Sequence, residues 1–362
     1  MSSNVVKGNQ SNSPIIIWLI MVCLMVVLMI VVGGITRLTG SGLSMVDWRP
    51  IMGVLPPISE VEWNTVFLAY QQFPEYQQIN KNITLEEFKG IFYWEYGHRV
   101  LGRLIGLVFF LPFLAFVVMG KVKGSLAIKL SIGLVLGGLQ GLMGWYMVMS
   151  GLVDIPRVSH YRLAAHLLLA MLILCYLCWL IFELREKQSR VFCSPLFSKL
   201  VYGLAGASVL QILYGAFTAG SRAGYGYNTY PLMNESWIAE AVFYLDPWWL
   251  NLFENTATIQ FMHRWLGALV LLLALAVLFV SYLDDALKDL RKYTMTLMVV
   301  ISAQFLLGVF TLVQVVPIGL ASMHQFGACV LLIALVRTLY ICLLYTSPSP
   351  RDRTRSRMPS SA

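Results

Sequence analysis

The sequence predicts an all-α integral membrane protein: eight transmembrane helices in two tandem four-helix bundles, related by a pseudo-twofold axis along the membrane normal. Three observations predict this. The chain is 58% hydrophobic and only 12% charged, whereas soluble domains carry about 25% charged residues. Apolar runs of about 20 residues, the length that crosses a bilayer, recur along the chain. Motifs in the first half return in the second at nearly constant offset. Lipid leaves each backbone polar group to be satisfied within its own segment, so the apolar runs must be helices.

Hydropathy places the spans at residues 14–36, 92–119, 126–150, 159–182, 196–219, 257–282, 293–316 and 319–345. Connections on the N-terminal side carry Lys121, Lys123, Arg185, Lys187, Arg190, Lys288, Arg291 and Lys292, against Arg157 on the other. The positive-inside rule then puts both termini in the cytoplasm and the long segments 37–91 and 220–256 outside. These two segments are rich in aromatics, Pro and Asn, as suits structured caps. Residues 1–13 form a polar tail with one cation, Lys7, and not an Arg-rich amphipathic presequence. The division expected is thus tail 1–13, N-terminal bundle 14–190, C-terminal bundle 191–345 and tail 346–362. The last segment is aperiodic Ser, Pro and Arg, which reads as disordered and non-native. Its four arginines stand against Asp352 alone and inflate the net charge of +8. The remaining basic charge is a topology signal and not a nucleic-acid footprint.

The repeat is carried by His-Arg-x-Leu-Gly, which opens span two at His98 and span six at His263, 165 positions apart. Gln140 with Gly144 in span three matches Gln304 with Gly308 in span seven, and His166 in span four matches His324 in span eight. Four spans separate the halves, so both run in the same direction, as an axis along the membrane normal requires.

Four of the five histidines, His98, His166, His263 and His324, sit in the first two to three turns of an even-numbered span. All four therefore lie at a similar depth near the outer face. Ionisable groups in a bilayer are costly and usually functional, and each half supplies a pair. Facing helices can present two imidazoles to opposite faces of a planar heme. Zinc would want more ligands, and the cysteines (Cys23, Cys175, Cys178, Cys193, Cys329 and Cys342) lie on the inner side or deep in apolar helix. Cys175-x-x-Cys178 reads as small apolar packing. Arg99, Arg103, Arg162, Arg264, Arg37 and Arg222 stand near the same depth, where guanidinium groups would pair with heme propionates. His160 lacks a repeat partner and reads as structural. The glycines of span three, Gly133, Gly137, Gly138, Gly141 and Gly144, suit either close helix packing or a bulky planar ligand.

One mismatch between the halves is informative. Glu95 precedes His98 by three positions, on the same helical face; its equivalent before His263 is Gln260. A carboxylate beside a ligand histidine is not needed to hold heme. The first half therefore reads as a reactive site, with Glu95 as proton acceptor or water anchor, and the second as the seat of a permanent heme. An alternative role for Glu95 is to orient His98.

These residues resemble the heme A synthase family. The likeness runs from Ile15 to about Tyr340. It includes Glu95-x-x-His98-Arg99, the repeated His263-Arg264, the later His166 and His324, and the first outer segment Gly33-Gly34-Ile35-Thr36-Arg37-Leu38-Thr39-Gly40-Ser41-Gly42-Leu43-Ser44 with Asp47-Trp48-Arg49-Pro50 and Gly53. The resemblance implies oxidation of a ring methyl of heme O to a formyl group by successive hydroxylations, giving heme A for cytochrome oxidase. It implies heme b on His263 and His324, and heme O near His98 and His166 with Glu95 catalytic. Oxygen activation at the substrate iron, and electron removal followed by water addition, both fit. Some members carry a cysteine pair in the first outer loop; this chain has none there, which places it nearer the mitochondrial and proteobacterial branch. Implied partners are a heme O synthase (farnesyltransferase), an electron-transfer partner and membrane lipid, with a homo-oligomer allowed. Without a transit peptide, the expected location is a bacterial inner membrane. The rival readings are a bis-histidine electron-transfer cytochrome, which gives no reason for Glu95 against Gln260, and a transporter, which would put its polar groups at mid-membrane.

Overall fold

The computed structural model describes residues 12–46, 55–152, 156–186 and 194–346. The expectations for both tails, for Asp47-Trp48-Arg49-Pro50 and Gly53, and for Lys187, Arg190 and Cys193 fall outside those residues, apart from the last residues of the first tail and Thr346. Among the described residues the fold is all-helical, with eight helices long and apolar enough to cross a membrane. In chain order the helices are α1 (Ser13–Leu38), α2 (Glu60–Tyr70), α3 (Pro74–Gln78), α4 (Leu85–Val118), α5 (Gly124–Met149), α6 (His160–Arg185), α7 (Pro195–Gly220), α8 (Thr256–Leu283), α9 (Arg291–Val313) and α10 (Ile318–Thr346). The short α2 and α3 belong to the first long connection. The second contains two 3₁₀ turns, Ala223–Tyr225 and Trp248–Leu252. Both long connections lie at the same end of the spans, here termed the cap side.

Local chemistry starts and stops these helices. Pro14 and Pro195 occupy first-turn positions, where a missing N–H costs nothing. The Asn255 side chain accepts from the amides of Ala257 and Thr258 at the start of α8. The largest departure from the hydropathy reading is α4. It begins at Leu85, seven residues before the expected Phe92, because Thr84 and Glu87 form a reciprocal capping box. Phe88 and Phe92 then bury this extra length against Tyr70 and Trp63 of α2, with ring centroids 4.9 and 5.1 Å apart. His98 is consequently the fourteenth residue of its helix and not within its first turns.

A proline inside α4 shows how backbone within a span is satisfied by a neighbouring helix. Pro112 has no N–H to return to the carbonyl of Val108, four residues earlier. The indole of Trp18 in α1 donates to that carbonyl instead, at 2.7 Å. Trp18 also packs on Phe109 and Phe116, so one residue fills both the packing and the hydrogen-bond requirement.

Neighbour relations define two rings of four. α1 packs on α4, α4 on α5, α5 on α6, and α6 returns to α1; α7, α8, α9 and α10 close in the same way. Between the rings, α1 meets α10, α7 meets α6, and α6 meets α10. The apolar core runs through this junction, with Leu19, Leu174, Leu204, Cys329 and Cys342 fully buried.

Candidate heme sites

All four span histidines lie against a glycine of the preceding span. A Cβ on Gly33 would stand 3.0 Å from His98 Nε2, one on Gly144 3.1 Å from His166 Cε1, one on Gly215 3.0 Å from His263 Cε1, and one on Gly308 2.8 Å from His324 Cε1. Each glycine lies five residues short of its helix end, at Leu38, Met149, Gly220 and Val313. Four imidazoles thus meet four neighbouring helices in the same register, although His98 is twice as far along its own helix as the others. The sequence marks Gly308 as a repeat landmark, and Gly144 both as its match and as one of the span-three glycines suited to close packing or a planar ligand. A glycine at constant distance from the cap-side end of every odd span was the available signal.

In the second half the His263 and His324 ring centroids are 6.4 Å apart, with planes at 89°. At a metal–nitrogen distance of about 2 Å, imidazoles on opposite sides of one iron have centroids about 6 Å apart. Nδ1 of both rings is buried and makes no hydrogen bond among the described residues, yet both residues are only half-buried overall. The pair therefore fits axial ligation of heme. The Gln304 amide donates to the His324 carbonyl at 2.8 Å, and the Gln140 amide donates to the His166 carbonyl at 3.1 Å, which braces the two equivalent helices alike. His98 and His166 lie within electrostatic reach of each other.

The halves share a second device at the cap. Arg99 donates to the Met45 carbonyl at 2.8 Å, and Arg264 donates to the Tyr227 carbonyl at 2.6 Å. Arg264 also donates to the Leu232 carbonyl at 3.0 Å. Both guanidinium groups thus tie a span to the connection above it. Arg103 lies one turn further along the Arg99 face, half-buried. Arg162 stacks 3.8 Å over the Tyr146 ring and donates to the Tyr146 carbonyl. His160 is set apart from the other four, its Nε2 2.9 Å from the Phe253 carbonyl.

Beside this shared frame the Glu95/Gln260 difference takes physical form. Glu95 is 3% exposed. It accepts from the Ser44 hydroxyl and the Met45 amide, both at 2.8 Å, and from Arg99 at 2.5 Å. Every one of these contacts donates to it, as an acceptor-only carboxylate requires. The Gln260 amide instead donates to the Ala223 and Tyr227 carbonyls at 3.0 and 3.2 Å. Ser44 and Met45 could not be assigned to Glu95 from the sequence, since 50 positions separate Met45 from it.

The two sites are joined through α1. Gly33 faces His98, and the next residue, Gly34, faces Gln325, which follows His324. A Cβ on Gly34 would stand 1.8 Å from Gln325 Oε1, while the Gln325 amide donates to the Ile30 carbonyl at 2.9 Å. Gly34→Ala is expected to destabilise the protein by about 1–3 kcal/mol through overpacking, and Gln325→Ala in the same chain should recover most of that loss. Thermal unfolding of the two single variants and the double variant checks this; equal loss with and without Gln325 would refute the contact.

The chain is similar to known proteins over most of its length. The family model described as cytochrome oxidase assembly protein, COX15-CtaA, matches residues 16–336. A heme A synthase of Nitrosomonas eutropha is 45% identical over 343 residues, covering 93% of this chain and 95% of the relative. That of Wolbachia pipientis wMel is 45% identical, covering 86% and 88%, and that of Rhodospirillum centenum 44%, covering 96% and 93%. The chain therefore belongs to the COX15-CtaA family of cytochrome oxidase assembly proteins.

Proposed function

We propose that this protein is a heme A synthase that oxidises a ring methyl of heme O to a formyl group, giving heme A for cytochrome oxidase. The name shared by relatives at about 45% identity supports the reaction. The observation that carries the division of labour is the buried Glu95 carboxylate beside the His98/His166 pair, where the second half has an amide. Residues 14–190 form the substrate half and residues 191–345 the half that holds heme b. The exchange of α1–α10 with α7–α6 contacts about a central α6–α10 contact supports a pseudo-twofold axis along the membrane normal.

In this reading His263 and His324 would hold heme b, which would supply one-electron redox capacity when bound. His98 and His166 hold heme O. Glu95 would take a proton from the water or hydroxyl next to the substrate methyl; each hydroxylation removes two electrons from the methyl carbon, taken by dioxygen or by the electron-transfer partner, and the second gives a gem-diol that loses water. Ser44, the Met45 amide and Arg99 keep the Glu95 carboxylate aimed and desolvated. Arg99, Arg103 and Arg264 would be the cations available to the propionates. The cap side faces outwards and both termini face the cytoplasm of a bacterial inner membrane, with a heme O synthase as donor of substrate and a separate electron-transfer partner. A bis-histidine electron-transfer cytochrome would have no use for the carboxylate cage. Expression of the chain together with a heme O supply, followed by extraction and chromatography of the hemes, tests the assignment: heme A is expected, and recovery of heme O alone would refute it.

A further inference from the structure

A second buried carboxylate lies in the cap, outside the machinery described so far. Glu75, in α3, is 7% exposed. The Tyr70 hydroxyl, itself fully buried, donates to Glu75 Oε2 at 3.1 Å, and the Asn80 amide donates to the Tyr70 oxygen at 2.8 Å. With Asn80 occupying the acceptor side of the phenol, the phenol proton is directed at Glu75. Tyr70 rests on Phe88, which stands seven residues above Glu95 on α4, about 10 Å of helix. Glu75 therefore lies on the cap side of Glu95 and within its electrostatic reach, in the same connection whose Ser44 and Met45 grip Glu95.

We propose that Glu75, aimed by Tyr70 and Asn80, is a proton relay between Glu95 and the water on the cap side. This rests on the reading of Glu95 as proton acceptor. Only a proton moves: it leaves the site at Glu95, resides on a Glu75 carboxyl oxygen and departs to water, and no electron accompanies it. The cap that desolvates Glu95 also bars direct exchange with water, so a turnover cycle that discharges protons there needs an intermediate acceptor.

The groups facing Glu75 suit that task. Burial pushes its carboxyl up to about 7. The Tyr70 hydrogen bond opposes this, the Glu95 charge adds to it, and Arg222 from the other half opposes it. Tyr70 is itself held above the ordinary phenol range by burial and by the Glu75 charge, so it donates a hydrogen bond without ionising. A carboxyl poised near neutral both accepts and releases a proton at ordinary pH.

The test uses the full chain with its heme bound. Infrared titration is expected to show a protonated-carboxyl band disappearing near pH 7, absent in Glu75→Gln. Conversion of heme O across pH should show an inflection in the same region. Glu75→Gln should lose that inflection and slow conversion, whereas Glu75→Asp should keep an inflection. Tyr70→Phe removes a bond that favours the carboxylate, so it should move the inflection to higher pH. An unaltered band or an unaltered profile in Glu75→Gln overturns the relay. Should Glu75→Gln lose its bound heme, Tyr70→Phe decides: an upward shift supports the relay and an unmoved inflection overturns it. Heme A formed with an unchanged Glu75→Gln profile sinks the relay alone; no heme A from the wild type sinks the synthase reading together with the relay.

Discussion

Replacement of Glu95 by Gln is expected to lower heme A formation by about a hundredfold or more, the usual loss when a positioned general base is removed, with heme b still bound. The substitution keeps size and shape, so the fold has little reason to collapse. The Gln amide does bring two donors into a cage built of donors: the Ser44 hydroxyl, the Met45 amide and Arg99. One of them loses its acceptor, at a cost of about 1–3 kcal/mol. The reciprocal change, Gln260→Glu, aims a carboxylate at the carbonyls of Ala223 and Tyr227. It should weaken heme b retention and confer no oxidation chemistry on the second half. Chromatography of extracted hemes, with a reduced-minus-oxidised spectrum of the same sample, reads both outcomes. Undiminished conversion in Glu95→Gln would remove this carboxylate from the chemistry and leave it as a device for orienting His98.

His263→Ala and His324→Ala are each expected to abolish the low-spin heme b spectrum. The 6.4 Å between their ring centroids leaves room for one metal between them, to which each imidazole would supply one nitrogen, so either substitution would remove a ligand. A subtler variant leaves both ligands intact. Gly308→Val places side-chain atoms where even a Cβ would stand 2.8 Å from His324 Cε1, so the ring must turn out of register and heme b content should fall sharply. Substitutions at His98 or His166 should spare the heme b signal and suppress conversion. Retention of that signal in both His263→Ala and His324→Ala would assign the permanent heme to the first half.

Hydropathy located the spans within a few residues because lipid demands apolarity along a helix's whole membrane-embedded length, and that demand is written locally. It failed at α4, where the helix runs on past the apolar stretch to a capping box at Thr84 and Glu87. Beyond that stretch the stabilising partner is α2, and neither hydropathy nor period reports which segment will cover Phe88 and Phe92. The site shows the same division. Histidine identity and the Glu95/Gln260 mismatch could be read directly, since an ionisable residue in an apolar run stands out by its cost. The Gln325 contact with α1 at Gly34 could not, because a glycine's role depends on what approaches it.

The amino-acid order by itself determined the number of spans, their alternation, the duplicated His-Arg pattern and the presence of one carboxylate where the other half has an amide. Each of these follows from single residues or short runs and their free energy of transfer into lipid. Tertiary packing alone decided that His263 and His324 come within 6.4 Å across 61 positions, that Ser44 and Met45 enclose Glu95, and that Glu75 is buried above it. Such distances depend on how helices dock, which is settled by shape complementarity among residues far apart in the chain.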